Sequence, residues 1–359
     1  ALKMPAALVT GTFNPPHMGH VKLIKSAIEK RDHVVVVVLA APHDRLAAND
    51  RARALLQDCV AEGVNEAAMT IVHGYESTPY DPGNSAVAKS NARVIEAHLR
   101  HTPPVDLLVT SETNGDEFAK LLGLHHHSFD PVRTQVPVSS TQIRDDLIGN
   151  WHLLGPGSRE LLAIRAVFIG AESTGTTTTT LAVQAELMKR QGNFATTNWI
   201  REYGRDLTMR KKEQAEAMGL SEYAVPWTTN DFVEIAIVQQ QLEDVAARTG
   251  GPVVCCDTDV FASITWERRY LGEKAALPMP GDSQNRIYFV TQPDGVPFVQ
   301  DKIRDSEELR VSMTREFEDD LISTGRSWMA LDGSVETRVE LALKAIDAAM
   351  AQAFDFHVH

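Results

Sequence analysis

Residues 34–40 read VVVVVLA, five consecutive β-branched valines and then two more apolar residues. A strand with one wet face alternates polar and apolar side chains, and this run has no polar position. It fits a strand covered on both faces, as in a parallel sheet with helices on either side. The rest of the chain supports that reading. MTIVHG (69–74) and DLLVTS (106–111) are further strand candidates, and helical spacing runs over 17–30, 50–62 and 85–99. Strand patterns recur at 165–169, 253–256, 286–291 and 327–331, with helical patterns at 176–190, 230–248, 306–323 and 335–353. Alternation of this kind predicts α/β architecture with doubly wound parallel sheets. The 359 residues are enough for two cores. GNWHLLGPGSREL (149–161) carries Gly and Pro without a long period, so the expected domains are 1–155 and 164–359.

A net charge of -13 argues against a general nucleic-acid binder while permitting a local pocket for a small anion. The longest apolar run, 34–41, is far short of a membrane span, and no charged segment followed by an apolar one opens the chain. The expectation is a cytoplasmic protein without membrane or nucleic-acid partners; a homo-oligomer stays open. Of the three cysteines, Cys59, Cys255 and Cys256, the last two are adjacent in an apolar run and read as buried thiols.

Two stretches carry the chemistry of the first half. In GTFNPPHMGH (11–20) the prolines precede a helix whose apolar residues Val21, Ile24 and Ile28 come at helical spacing. His17 and His20, three apart, share a face at its N-terminus, and Gly19 between them lets a ligand approach the backbone. Two imidazoles at a positive helix end suit phosphates. In VPVSSTQIRDDL (136–147), Ser139, Ser140 and Thr141 stand before a helical run. One hydroxyl would cap the helix, the others could meet phosphate oxygens, and Arg144 one turn later could hold phosphate with two prongs.

The second half opens with VFIGAESTGTTTTTLA (167–182), close to the phosphate-cradling pattern G-x-x-x-x-G-K-[ST]. Gly170 and Gly175 are spaced correctly and Thr177 fills the last place, but Thr176 stands where the lysine belongs. Glu172, Ser173, Thr174 and Thr178 complete the candidate ATP-binding loop. Loss of a charge-assisted contact of about 1.5–3 kcal/mol would slow phosphoryl transfer about 10- to 200-fold. PVVCCDTDVFAS (252–263) ends an apolar strand on Asp257, as the Mg²⁺-holding acid of such proteins does. Lys189 is about 20 Å along the helix from Thr176, which leaves Lys302 and Arg304 in a proposed lid, or Arg201 and Arg205, to replace the missing charge. HHH (125–127) reads as a solvated loop, the terminal HVH as a tail, and Glu307, Glu308, Glu316 and Glu318 as a solvated helix face.

The stretches GTFNPPHMGH and SSTQIR resemble the nucleotidyltransferases with the H-x-G-H signature. That resemblance implies a dinucleotide-binding-like sheet, Mg²⁺, and direct in-line transfer of a nucleotidyl group with release of pyrophosphate. It implies that His17 and His20 contact the triphosphate and Arg144 its β/γ end. Gly11, Thr12 and Phe13 would contribute backbone contacts to ATP, and Asn14 would lie with the acceptor. Added to these, LVTSETNGDEFAKLLG, FDPVRTQVPVSSTQIR, GAESTG, WIREYGRD, DTD and DKIR resemble the bifunctional NadR family over residues 7 to 310. The resemblance implies nicotinamide mononucleotide adenylyltransferase activity, yielding NAD, together with ribosylnicotinamide kinase activity. Trp199 would lie near the nicotinamide ring, and Glu202, Tyr203 and Arg205 would line the nucleoside pocket. Thr177 and Asp257 would hold the metal, Asp259 would act near the ribose hydroxyl, and Arg304 would reach ATP. Some family members carry a helix-turn-helix domain ahead of these two, and no DNA binding is expected here. Two alternatives stand beside this reading: a P-loop module that senses nucleotide without catalysis, and a different acceptor.

Overall fold

The structure, a computed structural model, describes residues 5–356 apart from 79–80, 82, 113, 133, 135–138, 222–223, 273–284 and 298–306. It divides into two units, Ala1–Leu161 with Phe354–His359, and Leu162–Ala353. The expected α/β architecture is present in both.

In the first unit the strands are β1 (Ala6–Gly11), β2 (Val34–Ala40), β3 (Met69–Tyr75), β4 (Val105–Thr110) and β5 (His125–Ser128). They form one parallel sheet in the order β3-β2-β1-β4-β5. The valine run is β2, and all 7 of its residues are buried between its neighbours and the covering helices. Those helices are α1 (Met18–Arg31), α2 (Ala48–Ala61), α3 (Ser85–His98) and α4 (Gly115–Leu122), with α5 (Ser140–Asp145) next along the chain. Alternate strand residues feed two apolar cores, one on each face: Val34, Val36 and Val38 in one, Val35, Val37 and Leu39 in the other. The order reverses beside β1, which leaves a crevice at the carboxyl ends of β1 and β4, the usual ligand position in such sheets.

Two elements differ from the sequence expectation. Residues 125–127, expected as a solvated loop, belong to the edge strand β5 (His125–Ser128). Four polar residues hid it, because an edge strand needs ladder hydrogen bonds more than apolar side chains. His126 is tied down: its ring lies 2.9 Å from Thr110 Oγ1 and 2.7 Å from Asp116 Oδ1. The junction also contains a helix, α6 (Pro156–Leu162). Pro156 opens it, and its first free N–H groups are met by a side chain from α2. Asp58 Oδ1 accepts from Gly157 N at 2.6 Å and Ser158 N at 3.1 Å, and Oδ2 accepts from Ser158 Oγ at 2.5 Å.

The second unit has β6 (Ile164–Ile169), β7 (Asn198–Ile200), β8 (Val253–Asp257), β9 (Arg286–Thr291) and β10 (Trp328–Leu331), again all parallel, in the order β10-β9-β6-β8-β7. Its helices are α7 (Thr176–Lys189), α8 (Tyr203–Ala217), α9 (Thr229–Thr249), α10 (Val260–Leu271), α11 (Glu307–Ser323) and α12 (Val335–Ala353). Cys255 and Cys256 are buried on β8, as expected, and burial pushes the Cys255 thiol up to about 12. The charge run on α11 is less solvated than expected: Glu316 pairs with Arg268, and Glu318 accepts from Gln292 Nε2 at 2.9 Å. No helix among the described residues is long and apolar enough to cross a membrane.

Burial raises the Asp58 carboxyl from its ordinary 3.8 to about 6, against the pull of its three donors. A carboxyl with a raised folded pKa binds its proton more tightly in the folded state, so stability falls as pH rises from 3.8 to about 6. Asp58→Asn cannot titrate. The stability difference between parent and variant is expected to drift by about 2–3 kcal/mol across that window, read by chemical denaturation at pH 4, 5, 6 and 7. Parallel profiles would show that Asp58 does not titrate there.

Candidate functional sites

The first site is the loop between β1 and α1. His17 is the N-cap of α1, and His20 is three residues further along. His17 Nδ1 accepts from Gly19 N at 3.1 Å, and His20 Nδ1 accepts from His17 N at 3.2 Å. Together they form a capping box in which imidazoles replace the usual hydroxyl and carboxylate. The consequence is chemical. With both Nδ1 atoms accepting, each neutral ring carries its proton on Nε2. Both donors converge on one hydroxyl: Ser140 Oγ lies 2.9 Å from His17 Nε2 and 3.5 Å from His20 Nε2. The rings stack at 3.7 Å, and Phe13 packs edge-on against His20 at 4.8 Å. Of the three hydroxyls, Ser139 is the N-cap of α5 and Ser140 and Thr141 are its first two residues, which frees Ser140 to face the histidines.

Two arginines fix the backbone of this loop. Arg144 Nη1 donates to Asn14 O at 3.1 Å, and its Nη2 donates to Thr141 Oγ1 at 3.2 Å. Arg51, fully buried and absent from the expected set, donates to Thr12 O at 2.9 Å and Leu46 O at 3.0 Å, and pairs with Asp44 at 2.7 Å. Nothing in the local sequence marks Arg51; its helix brings it to the loop from 39 residues away. Phe13 is held at φ 46, a strained value for a non-glycine residue, and Asn14 Oδ1 is buried without a hydrogen-bond partner among the described residues.

The second site is the loop between β6 and α7. Gly175, at φ 83, is the N-cap of α7, and Ser173 is held at φ 63. Any Cβ at Gly170 would run into the hydroxyls of Thr174 and Thr291, so glycine is required there. Thr177 Oγ1 donates to Asp257 Oδ2 at 2.6 Å, across from the end of β8. Burial raises the Asp257 carboxyl to about 6; Glu202 adds to the rise, while Thr177 and Arg205 oppose it. Arg205 donates to Glu202 at 2.9 Å. Partial burial works against its charge, but Glu202, Asp257 and Glu172 together hold it above its ordinary pKa. These four side chains therefore share one electrostatic neighbourhood. Trp199 lies on β7 with its indole Nε1 buried and unpartnered among the described residues. The Tyr203 hydroxyl donates to Glu234 at 2.7 Å.

Thr176, at the lysine position, is turned to the neighbouring strand. Its Oγ1 lies 2.8 Å from Thr291 Oγ1, which is also 2.8 Å from Thr174 Oγ1. Thr174 Oγ1 donates to Ala171 O at 2.7 Å, so three hydroxyls tie the loop to the end of β9. Thr178 is exposed. Arg304 and Lys302 fall outside the described residues.

Asp259 does a different job from the one expected. It is fully buried, caps α10 by accepting from Ala262 N at 3.3 Å, and accepts from Arg286 Nη1 at 3.1 Å and Tyr288 OH at 2.8 Å. Arg286 also pairs with buried Glu243 at 2.6 Å. Breaking such a buried network by removing one partner costs about 3–5 kcal/mol, so Asp259 reads as a structural anchor.

Known proteins resemble both units. A cytidylyltransferase-like family model matches residues 8–146, and an AAA-domain model matches residues 165–338. Trifunctional NAD biosynthesis/regulator protein NadR of Escherichia coli (strain K12) is 25% identical over 284 residues, 76% of this chain and 64% of that protein. Its Salmonella typhimurium counterpart is 24% identical over 279 residues, 74% and 63% of the two chains. The chain is a homologue of NadR. It spans a little under two thirds of these relatives' length. Two NadR crystal structures share its fold. One, in complex with NAD and AMP-PNP, has a TM-score of 0.58 at 18% identity, covering 97% of this chain and 96% of that one. The other, in complex with NR, has a TM-score of 0.58 at 19% identity, covering 98% of each.

Thr291→Val keeps the shape at the end of β9 and removes the shared hydroxyl. It is expected to destabilise the second unit by about 1–3 kcal/mol through unsatisfied Thr174 and Thr176, whereas Thr291→Ser keeps most of the stability. Urea unfolding of the three proteins checks this.

Proposed function

We propose that the first unit transfers an adenylyl group from ATP to nicotinamide mononucleotide, and that the second phosphorylates ribosylnicotinamide with ATP. The observation that carries the first assignment is the convergence of two Nε2–H donors and Ser140 beside a loop whose carbonyls are held by arginines. In this reading an acceptor phosphate oxygen attacks the α-phosphorus in line. The bond from the α-phosphorus to the bridging oxygen breaks, and its electron pair leaves with pyrophosphate. His17, His20 and Arg144 donate to the departing charge, and the fixed loop positions the triphosphate. No proton need be taken from an ionised acceptor phosphate, which suits imidazoles that donate through Nε2.

The second assignment rests on Thr177 and Asp257 at 2.6 Å beneath a phosphate-type loop. A hydroxyl and a buried carboxylate are hard oxygen donors suited to Mg²⁺, which takes few protein ligands and shares the rest with water and phosphate. A cation there would also relieve the burial that raises Asp257. Bound Mg²⁺ would neutralise charge on the β/γ-phosphates. The acceptor hydroxyl attacks the γ-phosphorus, and the bond to the β-bridging oxygen breaks with its pair going to ADP. The hydroxyl proton passes to a carboxylate, Asp257, Glu202 and Glu172 being those at the loop. Trp199, with its unpartnered indole N–H, is available to the nucleoside. The names and bound molecules of the NadR relatives point the same way.

Thr176 favours a second reading, in which the second unit binds nucleotide without turnover. Product analysis separates the two, because adenylyl transfer releases pyrophosphate and the kinase step releases ADP. With ATP, Mg²⁺ and nicotinamide mononucleotide, His20→Ala is expected to lower pyrophosphate release about 10²–10³-fold and leave ADP formation from ribosylnicotinamide intact. Asp257→Asn is expected to do the reverse. If nicotinamide mononucleotide works no better than pantetheine phosphate or glycerol phosphate, the first assignment fails. If ATP binds the second unit without ADP formation, the sensor reading replaces the second.

A further inference from the structure

The P-loop position that ordinarily carries lysine is Thr176, which is engaged with Thr291. Of the four cations proposed as substitutes, Arg201 and Arg205 already face carboxylates, as does the more distant Lys189. Lys189 pairs with Glu186, Arg201 with Asp206 at 2.7 Å, and Arg205 with Glu202 at 2.9 Å. Two other arginines touch the loop itself. Arg338 of α12, 2% exposed, donates from Nη1 to Thr174 O at 2.6 Å, from Nη2 to Gln292 O at 2.9 Å and from Nε to Gly333 O at 3.0 Å. Arg310 of α11, 6% exposed, donates from Nη1 to Ser173 O at 3.3 Å and Val296 O at 2.9 Å.

We propose that Arg338 and Arg310 replace the missing lysine as positioning residues, acting through the peptide groups of the phosphate loop. The inference rests on the reading of this loop as a nucleotide-phosphate site. The carbonyl of Thr174 belongs to the peptide whose N–H is that of Gly175, and the carbonyl of Ser173 to the peptide whose N–H is that of Thr174. A guanidinium on the carbonyl polarises the peptide and strengthens its N–H as a donor. The same bond turns the carbonyl dipole away from the anion, leaving the amides to cradle it. Arg338 makes no ion pair among the described residues. Burial lowers its pKa and Asp332 opposes this, but guanidinium stays charged in proteins. Its positive charge is therefore offset only at longer range, by Asp332, and would lie one peptide away from a bound phosphate. A lysine would bring its charge to the phosphate directly; here it arrives from behind the loop.

The test uses the full chain carrying His17→Ala and His20→Ala, which confines nucleotide to the second loop. Calorimetry measures Kd for Mg·AMP-PNP and for adenosine. Arg338→Met is expected to weaken Mg·AMP-PNP at least tenfold and adenosine less than twofold, and Arg338→Lys to fall between parent and Met. Adding Thr176→Lys to Arg338→Met should restore most of the loss, which a merely structural role for Arg338 would not allow. If Arg338→Met fails to fold, Arg310→Met carries the same comparison. Equal weakening of both ligands, or no rescue by Thr176→Lys, overturns the proposal. Absence of Mg·AMP-PNP binding in the His17/His20 background overturns the phosphate-site reading as well. Binding without ADP formation by the unsubstituted chain removes the kinase reading and leaves this inference standing on its own data.

Discussion

Buried or half-buried arginines hold the carbonyl oxygens of both candidate phosphate loops. Arg51 and Arg144 hold Thr12 and Asn14 in the first unit; Arg310 and Arg338 hold Ser173 and Thr174 in the second. A short loop that binds an anion must point several N–H groups one way, so its carbonyls point the other way. Left without donors in a packed interior, those carbonyls would each lose a hydrogen bond. Guanidinium meets them with several donors in a fixed fork, on a scaffold of helix and neighbouring strand. The strained backbone at Phe13 and Ser173 is held in the same places. An acidic chain can thus keep locally positive loops without a basic surface.

The position of these loops comes from the sheets. In each unit the strand that leads into the loop, β1 or β6, sits where the strand order reverses. The crevice there is lined by the segments that leave the carboxyl ends of the adjacent strands. In the second unit the register pairs Phe168 with Asp257, which places the acid beside the loop without any contact in sequence. Thr258, at φ 68, then turns the chain so that Asp259, the next residue, enters the buried cluster with Arg286 and Tyr288. Two carboxylates in one DTD stretch therefore take opposite roles, one at the loop and one in the core.

Much of this architecture was legible in sequence because parallel strands buried on both faces leave long apolar runs, and helices between them keep a 3.6 period. The valine run, the paired histidines and a hydroxyl cap among Ser139, Ser140 and Thr141 all depend on local spacing. The features that escaped were non-local or polar. β5 is three histidines and a serine at a sheet edge, where backbone pairing does the stabilising. α6 is short and begins on proline, and its cap, Asp58, comes from a helix about a hundred residues earlier. Arg51 and Arg338 look like ordinary helix-face arginines, and only the fold brings them under the loops. Asp259 resembled Asp257 in one dimension and parted from it in three.

The threonine at the lysine position shows how a local rule can fail without the site failing. A lysine on the first turn of α7 would carry a mobile charge on a long stem, and ordering that stem costs side-chain entropy of about 2 kcal/mol. Thr176 instead joins Thr174 and Thr291 in a hydroxyl cluster that stiffens the loop. Arg338 is already ordered by three carbonyls before any nucleotide arrives. Its charge acts through a peptide rather than by contact, so it is weaker at the phosphate but needs no rearrangement on binding. Such a loop favours steady nucleotide binding over strong pull on a departing phosphate.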